Sequence, residues 1–187
     1  MPVISSDRAE EEGVLRVAEL MAVAARTAPK ARGVDVVRTC IIYGPELEEL
    51  ASKMEEMAGR KGWAFFKRDA GCLRRSKAVL LIGAVGSEPR GLDCGACGFP
   101  TCEEFRRYRA GRRTEGPMRG PNCVKAILDL GIAIGSAVKV AADLNVDNRV
   151  MFSVGAAALE LGLLEADVAV GIPLSATGKN IFFDRKG

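Results

Sequence analysis

Histidine is absent from all 187 residues of the chain. That absence excludes His-ligated zinc catalysis, Ser-His and Cys-His nucleophile pairs and an imidazole proton shuttle. Acid–base work is left to Asp, Glu, Lys, Tyr or Cys. Aromatic residues make up only 5%, with two tyrosines and one tryptophan. They are too few to form stacking platforms for successive bases, so no nucleic-acid partner is expected. Long hydrophobic runs are missing as well. The most apolar stretch, Ala126 to Val138, is interrupted by Asp129 and too short to cross a bilayer. The opening residues, MPVISSDRAEEEG, contain no apolar signal core, so the expectation is a cytoplasmic protein without membrane association. Six cysteines are a low density for a disulfide framework, and a reducing cytosol would keep them available for metal.

What is present is ordinary for a globular chain: 48% hydrophobic and 27% charged residues, enough length for a sizeable core, and no low-complexity linker or internal repeat. The expectation is a single domain over residues 1–187, with a Cys-rich lobe inserted at 90–124. Four cysteines fall in that lobe. Three lie in the run Asp93-Cys94-Gly95-Ala96-Cys97-Gly98-Phe99-Pro100-Thr101-Cys102, and Cys123 follows after twenty intervening residues. Close spacing lets three thiolates sit on one loop around a metal group, and Gly95 and Gly98 give the backbone freedom to turn there. The C-x2-C-x4-C pattern matches neither common ferredoxin run, so zinc stays open. Only Cys94 and Cys97 form the two-residue-spaced knuckle that four-cysteine zinc sites use twice.

The segment DCGACGFPTCEEF with its distant cysteine resembles the four-cysteine [4Fe-4S] module of the corrinoid iron–sulfur protein and of the Rnf electron-transport B subunit. The resemblance covers Asp93 to Cys123 and implies Cys94, Cys97, Cys102 and Cys123 as ligands of a [4Fe-4S] cluster. One departure is that the module's last cysteine is commonly followed by Pro, whereas Val124 follows Cys123 and Pro121 lies two residues before it. Cys72, and after it Cys40, are the alternatives for the fourth position. A second resemblance is wider. GPNCVKAILDLGIAIGSAVKVAADLNVDNRVMFSVGAAALELGLL and GIPLSATGKNIFFDR are similar to a family of small prokaryotic proteins of unknown function that contain a ferredoxin domain. Such membership implies a cluster and leaves the reaction open.

Along the chain, Ser5, Ser6 and Asp7 with Glu10 predict a capped helix whose Val14, Leu15, Ala18, Met21, Ala22 and Ala25 share a face, ended by Pro29. Residues 34–44 read as a buried strand that packs Cys40. Pro45 opens a helix carrying Leu47, Leu50, Ala51, Met54 and Met57 inward, with Gly59 closing it. A short strand around Trp63 to Phe66, a buried strand in KAVLLIGAVG, a short helix from Glu103 to about Tyr108 and a long one from Cys123 to Leu144 follow. A third helix over 147–164 and strands in ADVAVGI and NIFFD complete the pattern. This describes an α+β fold, with a layered α/β arrangement as alternative, built on a central sheet of about four strands flanked by helices. AVAARTAPKARGVDVVRTCIIYG and SVGAAALELGLL resemble the nitroreductase-like flavin fold, in which two chains build FMN sites at their interface. That likeness admits a homodimer and FMN without favouring the flavin, because the phosphate-holding Arg-x-Ser-x-Arg stretch has no counterpart around Ser5 to Arg16.

Two further motifs need weighing. GIPLSATGKN contains Gly-Lys after a strand, but six residues rather than four separate Gly171 from Gly178, and Asn180 stands where a magnesium-binding Ser or Thr belongs. An inter-strand turn is the expectation there. Residues 102 to 125 carry seven Lys or Arg against three acids, with Arg106, Arg107, Arg109, Arg112, Arg113 and Arg119 beside the cysteines. Such a run is a solvated face, or a surface that docks an acidic redox protein or binds an anionic cofactor. The pattern as a whole implies one-electron transfer with a protein partner. A flavin-linked oxidoreductase with an accessory cluster, and a non-enzymatic sensor or structural cluster protein, are the alternatives.

Overall fold

In the computed structural model, which describes residues 3–112, 114 and 116–183, the middle of the molecule is the strand Ala78–Ala84 (β2), buried at every position. Its sequence, AVLLIGA, is a continuous apolar run, as a strand covered on both faces requires. Alternate side chains serve two cores. Ala78, Leu80, Ile82 and Ala84 join one; Val79 and Leu81 join the other. On the first face lie Ser6–Thr27 (α1) and Val124–Asp143 (α5), packed against each other through Ala18, Met21, Ala25, Ala126, Ala133 and Ala137. On the second lie Glu46–Lys61 (α2), Ala64–Arg74 (α3) and Phe152–Glu160 (α6).

The sheet has four strands in the order β1-β2-β4-β3, all neighbours antiparallel, where β1 is Val37–Tyr43, β3 is Asp147–Asn148 and β4 is Val168–Ser175. A short helix, Cys102–Ala110 (α4), stands between β2 and α5. The architecture is the expected α+β arrangement, with several local corrections.

Trp63 to Phe66 is not a strand: from Ala64 the chain is helical, because Phe66, Ala70 and Leu73 share a buried face. Trp63, Phe66 and Phe152 instead form an aromatic cluster across α3 and α6, with ring centroids 5.1–6.1 Å apart. Gly59 lies inside α2, which ends at Gly62 in the left-handed region, φ 70°. Ser5 occupies the N-cap of α1 but makes no side-chain capping bond. The expected helix over 147–164 shrinks to α6, because Asp147 and Asn148 pair with Ser175 and Leu174, and Met151 bridges Gly171.

NIFFD does not supply the fourth strand. Asn180 Oδ1 accepts the Phe182 N–H at 2.9 Å, and Asn180 Nδ2 donates to Asp147 at 2.9 Å. The side chain of Asn180 thereby curls the segment and takes an N–H that a ladder would use. Phe182 is buried, and Asp184 lies outside the described residues.

Helix α6 presses directly onto β4. A Cβ built on Gly155 would lie 2.2 Å from the Ala169 carbonyl oxygen and 2.5 Å from Val170 Cα. Those are backbone atoms of a central strand and cannot step aside. Gly155→Ala should therefore cost about 2–3 kcal/mol, roughly 5–10 °C in Tm for a chain of this size, in a thermal melt followed by circular dichroism. An unchanged melt would show that α6 can lift off the sheet.

Candidate metal centre

The chain leaves β2 at Val85 and does not re-enter regular packing against the sheet until α5 begins at Val124. The cysteines occupy the two ends of this excursion. Asp93, at φ 43°, accepts the Cys102 N–H on Oδ1 at 2.7 Å, which draws the loop into a ring from 93 to 102. Within the ring Gly95 and Gly98 have φ of 68° and 85°, and the Gly98 N–H donates to the Gly95 carbonyl at 3.0 Å. Side chains with a Cβ rarely adopt that backbone, so both glycines serve the turn between Cys94 and Cys102.

Thr101 then caps α4, its Oγ1 accepting from the Glu104 N–H at 3.2 Å, and Cys102 is the first residue of that helix. Phe105 on α4 is fully buried and meets Phe99 edge to face at 5.6 Å, which anchors the loop to the first core.

Cys123 comes from the other end. It is the N-cap residue of α5, 4% exposed, and its N–H donates to the Gly86 carbonyl at 2.7 Å. Cys94, Cys97, Cys102 and Cys123 together line one pocket, walled by Leu92, Phe99 and Val124. Cys94 is exposed, Cys97 and Cys102 are half-buried and Cys123 is buried. Among the described residues no three His, Cys, Asp or Glu side chains gather closely enough to hold a single metal ion. The four thiols share one pocket lining. Cys72 and Cys40 are not among them: Cys72, on α3, is buried in the opposite core with Sγ 3.8 Å from the Ile181 carbonyl, and Cys40 packs against that same core from β1.

The same cavity is lined by a residue that neither the cysteine spacing nor the basic run marks. Arg90 is 4% exposed. Its Nη1 donates to the Glu88 carbonyl at 2.7 Å, but Nε and Nη2 are buried without a hydrogen-bond partner. The nearest carboxylate is Asp129 on α5, whose Oδ2 stands 3.9 Å from Nε, beyond hydrogen-bond reach, and is itself unpartnered. Asp129 Oδ1 accepts the Ala31 N–H at 3.0 Å. The available signal was Asp129 itself, a charge set in the apolar stretch Ala126 to Val138 of α5.

The basic run divides. Arg106, Arg107, Arg112 and Arg119 are exposed, while Arg113 lies outside the described residues. Arg106 pairs with Glu103 at 3.0 Å, and Arg112 stacks over Tyr108 at 4.2 Å. Arg109 turns inward. Its Nη2 donates to Asp167 Oδ1 at 2.8 Å, both side chains are at most 10% exposed, and Asp167 Oδ2 accepts the Ser87 N–H at 2.9 Å. This pair ties α4 to the end of β2, so Arg109 leaves the outward-facing set.

The four-stranded sheet between helical layers is a nitroreductase-like fold. The chain superposes on the Lactococcus lactis nitroreductase CinD, solved in complex with chloramphenicol, with a TM-score of 0.56 at 16% identity, covering 94% of this chain and 85% of that one. A BluB-like flavoprotein from Clostridium difficile 630 gives 0.52 at 15% identity, covering 100% and 87%. A nitroreductase with bound FMN from Desulfitobacterium hafniense DCB-2 gives 0.52 at 14%, covering 96% and 82%.

Sequence comparison is narrower. Residues 119–185 match a family described as "Uncharacterized protein containing a ferredoxin domain", and residues 90–108 match one described as "Putative Fe-S cluster". An uncharacterized protein of Archaeoglobus fulgidus is 50% identical over 176 residues, 94% of each chain. The protein belongs to this family of uncharacterized ferredoxin-domain proteins. The two matches support an iron–sulfur cluster-binding protein whose cluster segment includes Arg90 and the first three cysteines. Among the described residues no helix is long and apolar enough to cross a membrane.

Proposed function

We propose that the protein holds a [4Fe-4S] cluster on Cys94, Cys97, Cys102 and Cys123 and exchanges single electrons with an acidic protein partner. The observation that carries this reading is the convergence of four thiols from both ends of the 85–123 excursion on one cavity that also contains a buried, partly unpartnered guanidinium. When bound, such a cluster accepts and releases one electron at a potential set by its charge, hydrogen bonds and exposure.

The chain's own contribution is electrostatic and steric. Cys102 and Cys123 stand at the N-termini of α4 and α5, where the helix dipole favours negative charge. Leu92, Phe99 and Val124 give the cavity an apolar wall, and Cys94 keeps one edge open to an approaching partner. A lone zinc ion, with sulfur at about 2.3 Å, would require the thiols to close on a single centre. A single two-residue-spaced knuckle, where four-cysteine zinc sites use two, favours the larger group.

Anaerobically purified protein should be brown, with about four iron and four sulfide per chain. Stoichiometric zinc without sulfide would overturn the reading. The same absorption spectrum tests the second reading, a flavin-linked oxidoreductase, which is favoured by the FMN-bound fold neighbour and opposed by the missing Arg-x-Ser-x-Arg stretch. No stoichiometric FMN is expected.

Partner docking falls to the outward-facing guanidiniums of Arg106, Arg107, Arg112 and Arg119. Exposed charges are screened over about 10 Å at 0.1 M ionic strength, so electron transfer from an acidic ferredoxin should slow as salt rises. The triple variant Arg106→Glu, Arg107→Glu, Arg112→Glu should be slow at low salt and gain rate, rather than lose it, as salt rises. Reduction by a small neutral reagent should change little. Equal ferredoxin rates for both proteins at all salt concentrations would return the segment to a plain solvated face.

A further inference from the structure

A buried arginine with empty donors is the least expected polar feature among the described residues. Ordinarily a buried guanidinium is fully hydrogen-bonded or paired with a carboxylate, because desolvating an unmatched cation is costly. Arg90 is only loosely paired: Asp129 lies within ion-pair range but beyond hydrogen-bond reach. One of its nitrogens is satisfied by the Glu88 carbonyl, two are not, and Asp129 stops 3.9 Å short.

The position is nevertheless held firmly. Arg32 Nη1 donates to the Arg90 carbonyl at 2.9 Å, and Asp129 is fixed by the Ala31 N–H at 3.0 Å. The side chain is thus kept at the wall of the four-cysteine cavity with donor capacity to spare.

We propose that Arg90 is the internal counter-cation of the cluster, giving its unpartnered Nε and Nη2 hydrogens to the cluster's sulfur atoms and raising its reduction potential, with Asp129 as the opposing charge that limits the rise. The inference rests on the cluster reading above. Its logic is charge balance. Four thiolates around an iron–sulfur core leave a net anion, and one added electron makes that anion one unit more negative. A nearby fixed cation therefore stabilises the reduced form more than the oxidised one. Hydrogen bonds to sulfur act in the same direction. Asp129, which does not line the cavity, acts against both. Together the two residues would set the potential from inside, independently of the exposed arginines that meet a partner.

The test is an EPR-monitored redox titration, with iron and sulfide counted on each sample, of anaerobically purified wild type, Arg90→Met, Arg90→Lys, Asp129→Asn and the Arg90→Met, Asp129→Asn double variant. Arg90→Met should shift the reduction equilibrium at least tenfold toward the oxidised form, about 59 mV downward for one electron. Arg90→Lys should fall between it and the wild type, since it keeps the charge and loses the planar fork. Asp129→Asn should shift the midpoint upward.

The double variant separates a tuning residue from a structural ion pair. It has the wild-type formal charge, yet its midpoint should stay below that of the wild type, because the donors to sulfur are gone. A loaded Arg90→Met protein with the wild-type midpoint, or a double variant equal to the wild type, overturns the proposal. If Arg90→Met does not retain its cluster, Arg90→Lys and Asp129→Asn decide, and unchanged midpoints in both overturn it. Wild-type protein without iron and sulfide would bring down the cluster reading itself, a result distinct from any of these.

Discussion

Replacing Cys123 by alanine should abolish the four-iron cluster, or convert it to a form with fewer irons, while Cys72→Ala and Cys40→Ala leave the EPR signal of the reduced protein unchanged. The contrast follows from position. Cys123 reaches the cavity from the opposite end of the excursion to Cys94, Cys97 and Cys102, so no neighbouring thiol can take its place. Its backbone is held by the Gly86 carbonyl at 2.7 Å and by α5, neither of which depends on the side chain. The variant should therefore fold with wild-type helix content and fail specifically in iron and sulfide. Cys72 sits across the sheet in the core of α2, α3 and α6, where its loss removes packing and a weak contact with the Ile181 carbonyl. It should cost stability without touching the metal. A cluster that survives in Cys123→Ala and vanishes in Cys72→Ala would mean that the four-thiol cavity is not the metal site.

The reasons some of this was legible in sequence, and some not, are physical. β2 could be read because a strand buried on both faces must be apolar throughout, and α2 because Leu47, Leu50, Ala51, Met54 and Met57 repeat at helical spacing. Trp63 to Phe66 misled because aromatic residues favour strands on average, whereas here the decisive term is the fit of Phe66 and Phe152 across two helices. Strand β3 is only two residues long and exists by virtue of pairing with the end of β4, a contact that no local pattern encodes.

The metal centre divides in the same way. Three cysteines on a tight loop are a local signal, and the fourth is recognisable once the loop is. Arg90 and Asp129 are 39 positions apart, and Arg109 and Asp167 are 58 apart, so their pairing is a product of topology alone. Counted along the chain, Arg109 belongs to an exposed basic run; in space it is a strut. The arginine that shares the cavity with the thiols stands outside the run, beside a proline and a glycine that mark it as loop.

The second large effect should come from a residue with no functional group. Gly86 follows β2 where the segment carrying Cys123 crosses it, and a Cβ there would lie 2.3 Å from Asn122 Oδ1 and 2.7 Å from Asn122 Cβ and Cγ. Asn122 cannot swing away freely, since its Nδ2 donates to the Arg119 carbonyl at 2.7 Å and the Arg119 N–H is bound to the Asp167 carbonyl at 2.8 Å. Relief must come from moving the Asn122–Cys123 backbone, which breaks the Cys123 N–H bond to Gly86 and carries the fourth thiol away from the cavity. A ligand misplaced by an ångström is enough to disfavour a group held by four bonds. Gly86→Ala should thus retain less than half of the wild-type iron and sulfide, with the remainder labile to air. The helical signal should persist, and stability should fall by about 1–3 kcal/mol from overpacking. Asn122→Gly removes all three of the clashing atoms, so the double variant Gly86→Ala, Asn122→Gly should regain cluster content beyond either single variant. If Gly86→Ala carries a full complement of iron and sulfide, the crossing at Gly86 does not set the position of Cys123. If it is depleted and the double variant is no better, the loss comes from the strand end rather than from Asn122.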